Sequence, residues 1–131
     1  MTAFEAERLT HPRPPRRFDA VTQPAHGELK RYIDCIAAAV KPRRIWLFGS
    51  HARGDARADS DIDVLVVVDD AVQPLRAAIT AMRAIGAHRL PIDLVAFRQA
   101  EFDRLAEAPW TLPGTVVREG RVVWEASAHA A

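Results

Sequence analysis

The sequence predicts an α/β fold of mixed α+β character: one small domain with a mixed central sheet flanked by helices. Three observations predict it. Segments with apolar residues at helical spacing alternate with short apolar, β-branched runs, the pattern of a sheet covered by helices. One run, Ile62 to Val68, is almost wholly β-branched or leucine, which suits a strand buried on both faces. The chain has 131 residues, 49% of them hydrophobic, which is the scale of a single core.

Each element follows from its local pattern. Residues 1–24 carry Pro12, Pro14, Pro15 and Pro24 beside Arg13, Arg16 and Arg17, and few large apolar side chains, so a flexible arm is expected there. The folded domain is expected over residues 25–125, with a loose tail at 126–131. Leu29, Ile33, Ile36 and Val40 repeat at helical spacing, predicting a helix from His26 to Val40 that Pro42 ends. Ile45-Trp46-Leu47-Phe48 reads as a short buried strand, stopped by Gly49-Ser50. Residues 51–60 are small and polar, a loop with room for one helical turn after Ser50. The strand Ile62–Val68 follows. Leu75, Ala78, Ile79, Met82 and Ile85 mark the apolar stripe of another helix, closed by Gly86. Pro91 to Phe97 reads as a third strand and Gln99 to Ala108 as a short helix. Thr115–Val117 and Arg121–Trp124 flank Glu119-Gly120, which predicts a closing hairpin. Trp110, Trp124 and Phe102 are expected in the core, with a surface for a partner as the alternative.

The charge balance is close to neutral, with a formal net charge of +1. Affinity for duplex nucleic acid comes largely from neutralising phosphates, so no direct nucleic-acid binding is expected. No stretch is apolar enough to span a membrane and the first residues lack a secretory apolar segment. Cys35 is the single cysteine and cannot form an internal disulfide. A cytoplasmic protein is expected.

The chemistry is concentrated between Gly49 and Val68. Gly49 lets a phosphate approach the backbone where a strand ends, and Ser50 adds a hydroxyl donor. If a helical turn follows, its unpaired N–H groups also face an anion. Taken alone, this is also ordinary turn chemistry. Asp61 and Asp63 stand two apart at a strand entrance and project from one face, with Cα atoms roughly 6.5–7 Å apart. Side chains so placed can converge on two cations about 3.5–4 Å apart, and hard carboxylate oxygens suit Mg²⁺. The pair could equally face water. Two carboxylates about 5 Å apart repel by roughly 3 kcal/mol at an effective dielectric of 20, so a cation would relieve a real cost. Of the acids downstream, Asp69 and Asp70 lie about 20 Å along the strand, and Glu101 and Asp103 fall on the wet face of a helix. Asp93 interrupts the third strand, where an unpaired charge is expensive. If that strand neighbours the second, Asp93 can face Asp61 and Asp63; otherwise it would pair with Arg89 or Arg98.

Gly49-Ser50, ten intervening residues and Asp61-Ile62-Asp63 together resemble the GSx10DxD signature of the DNA polymerase β nucleotidyltransferase superfamily. The context agrees: Arg53-Gly54 inside the loop, Ser60 before the first aspartate, an apolar strand after Asp63, and Asp93 in a strand of its own. The short length is similar to that of the minimal, MNT-type nucleotidyltransferases, and Val117 to Trp124 is like their terminal hairpin. The resemblance covers roughly residues 26–125. The whole signature is specific, whereas either half is common.

The resemblance implies a polymerase-β-like fold and a defined site. Asp61 and Asp63 would hold two Mg²⁺ ions, and Asp93 would bind the catalytic one and help deprotonate the acceptor hydroxyl. Gly49, Ser50, Arg53 and Ser60 would bind the nucleotide, with ATP as substrate. Its MNT-type members act as antitoxins that add AMP to a tyrosine of a HEPN-domain RNase toxin, so such a toxin is the implied acceptor. Two other expectations stand beside this one: a module that neutralises its partner by occlusion alone, and a small-molecule nucleotidyltransferase similar to the aminoglycoside-modifying enzymes. His51 falls on a variable position of the signature and is assigned no role.

Overall fold

The structure is a computed structural model and describes residues 23–127. The expected arm, apart from its last two residues, and most of the expected tail lie outside the described residues.

Five helices and four strands are found among the described residues. They run α1 (Gln23–Val40), β1 (Arg44–Phe48), α2 (Ser50–Arg53), β2 (Ile62–Val68), α3 (Pro74–Ile85), β3 (Ile92–Arg98), α4 (Gln99–Ala106), α5 (Leu112–Glu119) and β4 (Arg121–Glu125). The strands form one mixed sheet in the order β3-β2-β1-β4. β1 is antiparallel to β2 and to β4, while β2 and β3 are parallel. The fold is the mixed α/β arrangement that the sequence predicts.

Each face of the sheet carries its own core. Leu29, Tyr32, Ile33 and Ile36 of α1 pack with Ala77, Ala81 and Ile85 of α3 over Ile45, Leu47, Ile62, Val64, Val66 and Val68. On the opposite face Trp46, Leu65 and Val67 meet Phe102 of α4 and Val116 of α5. The alternation of Val64, Val66 and Val68 with Leu65 and Val67 divides β2 between the two layers, as a strand with period two requires. β2 is therefore covered on both faces, as its composition predicts.

Four expectations need correction. The closing hairpin does not form: Thr115–Val117 lies within α5, and β4 pairs with β1 at the far edge of the sheet. The reason is local. The Thr111 hydroxyl accepts the Gly114 N–H at 3.0 Å and Pro113 stands in the first turn, so a capped helix start outweighs the strand preference of Thr115, Val116 and Val117. Gly114 is required inside this helix because a side chain there would strike the Ala108 carbonyl.

The apolar stripe of α3 is also rotated from expectation. Leu75 and Ile79 are 69% and 45% exposed, whereas Ala77, Ala81 and Ile85 are buried. Alanines spaced by four let α3 approach α1 and the sheet closely, and that leaves the larger residues outside. Trp110 is not a core residue: it is 86% exposed in the turn between α4 and α5. Phe102 is buried, as expected, and Trp124 packs half-buried against the first core.

α1 also begins earlier than the expected His26, and a network joins it to the entrance of β3. Arg31 donates from Nη1 to the Ile85 carbonyl at 2.9 Å and from Nη2 to the Ala87 carbonyl at 2.7 Å. Glu28 Oε2 accepts the Arg89 N–H at 2.9 Å, and the Tyr32 hydroxyl accepts the Leu90 N–H at 3.3 Å. The segment leading to Asp93 is thereby held against α1.

Candidate active site

The site forms at one end of the sheet, where β2 lies between β1 and β3. Asp63 is paired in register with Phe48 of β1 on one side and Asp93 of β3 on the other. Parallel neighbours stand about 4.8 Å apart, so Asp63 and Asp93 project side by side from one face. Asp61 stands just before β2, close enough for its charge to raise the Asp63 carboxyl. The face that Asp63 and Asp93 share is the α4–α5 face, continuous with Leu65 and Val67, and its open end is polar. The structure thus places the three aspartates singled out from the sequence at the same end of the sheet, with Asp63 between the other two in its electrostatic influence.

Asp93 is exposed on the edge strand β3 and not enclosed within the sheet. No arginine pairs with it among the described residues, so the alternative of an Arg89 or Arg98 partner is not realised. The more distant acids stay distant. Asp69 pairs with Arg43 at 3.1 Å and caps Ala71, while Asp70 accepts the Ala100 N–H at the start of α4.

The electrostatics mark Asp63 as the centre of the cluster. Its carboxyl is pushed up from 3.8 to about 6, first by burial, then by the charges of Asp93 and Asp61, with His51 and Arg53 acting in the opposite sense. Both acids are close enough for their charge to be felt. Among the described residues no three His, Cys, Asp or Glu side chains are drawn together closely enough to hold a metal ion.

The glycine-serine turn closes on the same point. Gly49 has φ +74° and ψ −157°, a region nearly restricted to glycine. A side chain there would meet the Asp63 carboxylate, whose Cγ lies 3.0 Å from the position a Cβ would take. The turn is therefore folded directly onto the aspartate. Ser50 begins α2, and the N–H groups of Ala52 and Arg53 return to the Gly49 carbonyl at 3.1 and 3.0 Å.

Arg53 ends α2 with its guanidinium exposed, 3.4 Å from Asp55 and 3.8 Å from Glu119. Its charge lowers the Asp63 carboxyl, the least of the influences on that group. The Ser60 hydroxyl accepts the Arg57 N–H at 2.7 Å and so braces the turn before Asp61. His51, given no role from the sequence, is buried beneath this loop. A polar residue flanked by Ser50 and Ala52 carried no periodic signal, and only burial brings it out.

A glycine-serine turn flanked by aspartates is a donor set suited to phosphate and to a hard cation. Residues 29–122 match the family described as the nucleotidyltransferase domain. The chain is 29% identical over 101 residues to a Methanocaldococcus jannaschii protein named as a putative protein adenylyltransferase, a match covering 73% of this chain and 94% of that one. Its fold is like that of a crystal structure described as a putative nucleotidyltransferase from Sulfolobus solfataricus, with a TM-score of 0.53 and 22% identity over 76% of this chain and 78% of that one. A toxin–antitoxin structure with AMP-PNP superimposes with a TM-score of 0.46 at 20% identity, over 76% of this chain and 75% of that one. With Gly49, Asp61, Asp63 and Asp93 gathered at one end of its sheet, the chain belongs to the nucleotidyltransferase domain family.

Proposed function

We propose that the chain transfers AMP from ATP to a hydroxyl group of a partner protein. The observation that carries this reading is the convergence of the Gly49 turn with Asp63 and its register neighbour Asp93. Asp61, Asp63 and Asp93 beside the Gly49 turn offer the carboxylate oxygens that Mg²⁺, a hard cation, prefers together with phosphate oxygens, and they would close in around it when it binds. Asp61 and Asp63 would hold the two ions and Asp93 would share the one nearest the acceptor. When bound, Mg²⁺ supplies charge neutralisation for the phosphates.

The remaining work falls to the chain. Gly49 and Ser50 receive the β- and γ-phosphates, Arg53 offsets their charge from the rim, and Ser60 still has an O–H to donate. The acceptor oxygen bonds to the α-phosphorus, the bond to the bridging oxygen breaks and pyrophosphate leaves. Asp93 helps take the acceptor's proton. Catalysis of this kind rests on positioning and charge stabilisation.

A protein acceptor is supported by the name of the M. jannaschii relative, which is matched over nearly its whole length. The sequence resemblance narrows the acceptor to a tyrosine of a HEPN-type RNase toxin, with this chain as its antitoxin. No helix among the described residues is long and apolar enough to cross a membrane, which is compatible with a reaction in the cytoplasm, where ATP is supplied.

The test is to mix the chain with the product of the adjacent gene, Mg²⁺ and ATP labelled at either the α- or the γ-phosphate. Label should pass to the partner from the α position alone. A folded preparation that transfers none would defeat the proposal. Asp61→Asn combined with Asp63→Asn should lower transfer on the order of 10²-fold or more, the scale for loss of a charge-stabilising group. If neutralisation of the partner survives that double change unaltered, occlusion explains it and transfer does not.

A further inference from the structure

His51 is the buried residue that the nucleotide chemistry leaves unexplained. It is the buried polar side chain of the described core, at 1% exposure. Its Nε2 lies 3.1 Å from the Ser60 carbonyl oxygen. A carbonyl only accepts, so Nε2 carries the proton and donates. The other ring nitrogen, Nδ1, is buried with no hydrogen-bond partner among the described residues.

That balance is unfavourable for stability alone. An unmet buried ring nitrogen costs at least as much as one neutral hydrogen bond returns. An apolar ring filling the same space would have no such cost. The hydrogen bond matters for where it runs. His51 is the second residue of α2, directly after the Gly49-Ser50 turn, and the Ser60 carbonyl directly precedes Asp61. One bond therefore ties the beginning of the ten-residue spacer to its end. The far end is firm in its own right. Arg57 N–H donates to Ser60 Oγ at 2.7 Å, Ser60 N–H donates to the Arg57 carbonyl at 3.0 Å, and Ile62 N–H donates to the Pro91 carbonyl at 2.9 Å.

We propose that His51 is a positioning residue that pins this spacer, so that the glycine-serine turn and the aspartate pair are held at one fixed separation. For its effect on nucleotide affinity the proposal rests on the function proposed above. The pinning itself does not.

The experiment compares His51→Phe with His51→Gln in the full chain. Phenylalanine fills the space without a donor, whereas the glutamine amide can donate to the Ser60 carbonyl. Three quantities are read: the melting temperature, amide hydrogen exchange over residues 55–62, and the affinity for Mg-ATP by calorimetry. The phenylalanine variant should melt no lower than the wild type, yet exchange in the spacer about five- to tenfold faster. It should bind Mg-ATP on the order of tenfold more weakly. The glutamine variant should recover both. Unchanged exchange in the phenylalanine variant, or no recovery with glutamine, overturns the proposal. So does a phenylalanine variant that melts well below the wild type, because His51 would then be an ordinary core contact. If the wild type binds no Mg-ATP, the nucleotide reading fails, and hydrogen exchange still decides the pinning.

Discussion

The carboxylate of Asp63 occupies the space that a side chain on Gly49 would need. Residues fourteen positions apart are thus in direct contact, and the turn proposed to receive a phosphate is shaped around the acid proposed to hold a cation. Gly49→Ala should be costly twice over, through strain at φ +74° and through displacement of Asp63. A loss of about 1–3 kcal/mol is expected from the backbone alone. Thermal unfolding checks this, and an alanine variant as stable as the wild type would contradict it.

Asp63 should make the metal-free protein less stable as pH rises. Its carboxyl is raised from 3.8 to about 6, chiefly by burial and by Asp93 and Asp61. A raised carboxyl favours the fold while protonated, so that contribution is complete below 3.8 and lost as pH climbs through about 6. Asp63→Asn should therefore stabilise the metal-free chain above pH 6 by ~1 kcal/mol, after discounting for solvent screening at a half-buried site. Added Mg²⁺ should narrow the difference. Melting curves in chelator from pH 4 to about pH 8 provide the check.

Glu28 should act in the opposite sense. The Arg89 N–H holds its carboxyl below the usual 4.5 against burial, the next largest influence, with Arg31 and Tyr32 adding to the lowering. Its stabilising contribution is present above 4.5 and is lost as pH falls through the lowered folded value. Glu28→Gln should destabilise the neutral-pH protein by about 1 kcal/mol, and the difference should vanish in acid. Because Glu28 grips the segment before β3, hydrogen exchange near Arg89 should rise in the variant.

Trp110→Ala should leave stability within about 0.5 kcal/mol of the wild type, since the indole is 86% exposed. A large loss on thermal melting would restore the core role that its size suggests from sequence.

What the sequence made legible was what is local. Asp61 and Asp63 stand two apart at the start of one strand, and Ile62–Val68 is β-branched enough to announce a buried strand. The pairing of Asp93 with Asp63 was only conditional, because the neighbour of a strand is set by tertiary packing. α5 is hidden from the local pattern because Thr115, Val116 and Val117 favour strands, while the Thr111 cap and Pro113 that decide the matter lie four and two residues before Thr115. The buried face of α3 was hidden by its alanines, which carry little hydropathy but allow close approach. His51 gave no signal, because burial of a single ring in a polar loop has no periodicity.

The most direct test of the central claim is the titration of the Asp63 side-chain carboxyl, followed by carbon NMR in the metal-free protein. It should titrate near pH 6, move lower in Asp93→Asn, and lose its elevation when Mg²⁺ is added. An Asp63 that titrates as an ordinary carboxylate and ignores both Asp93→Asn and Mg²⁺ would contradict the joining of these acids into one site.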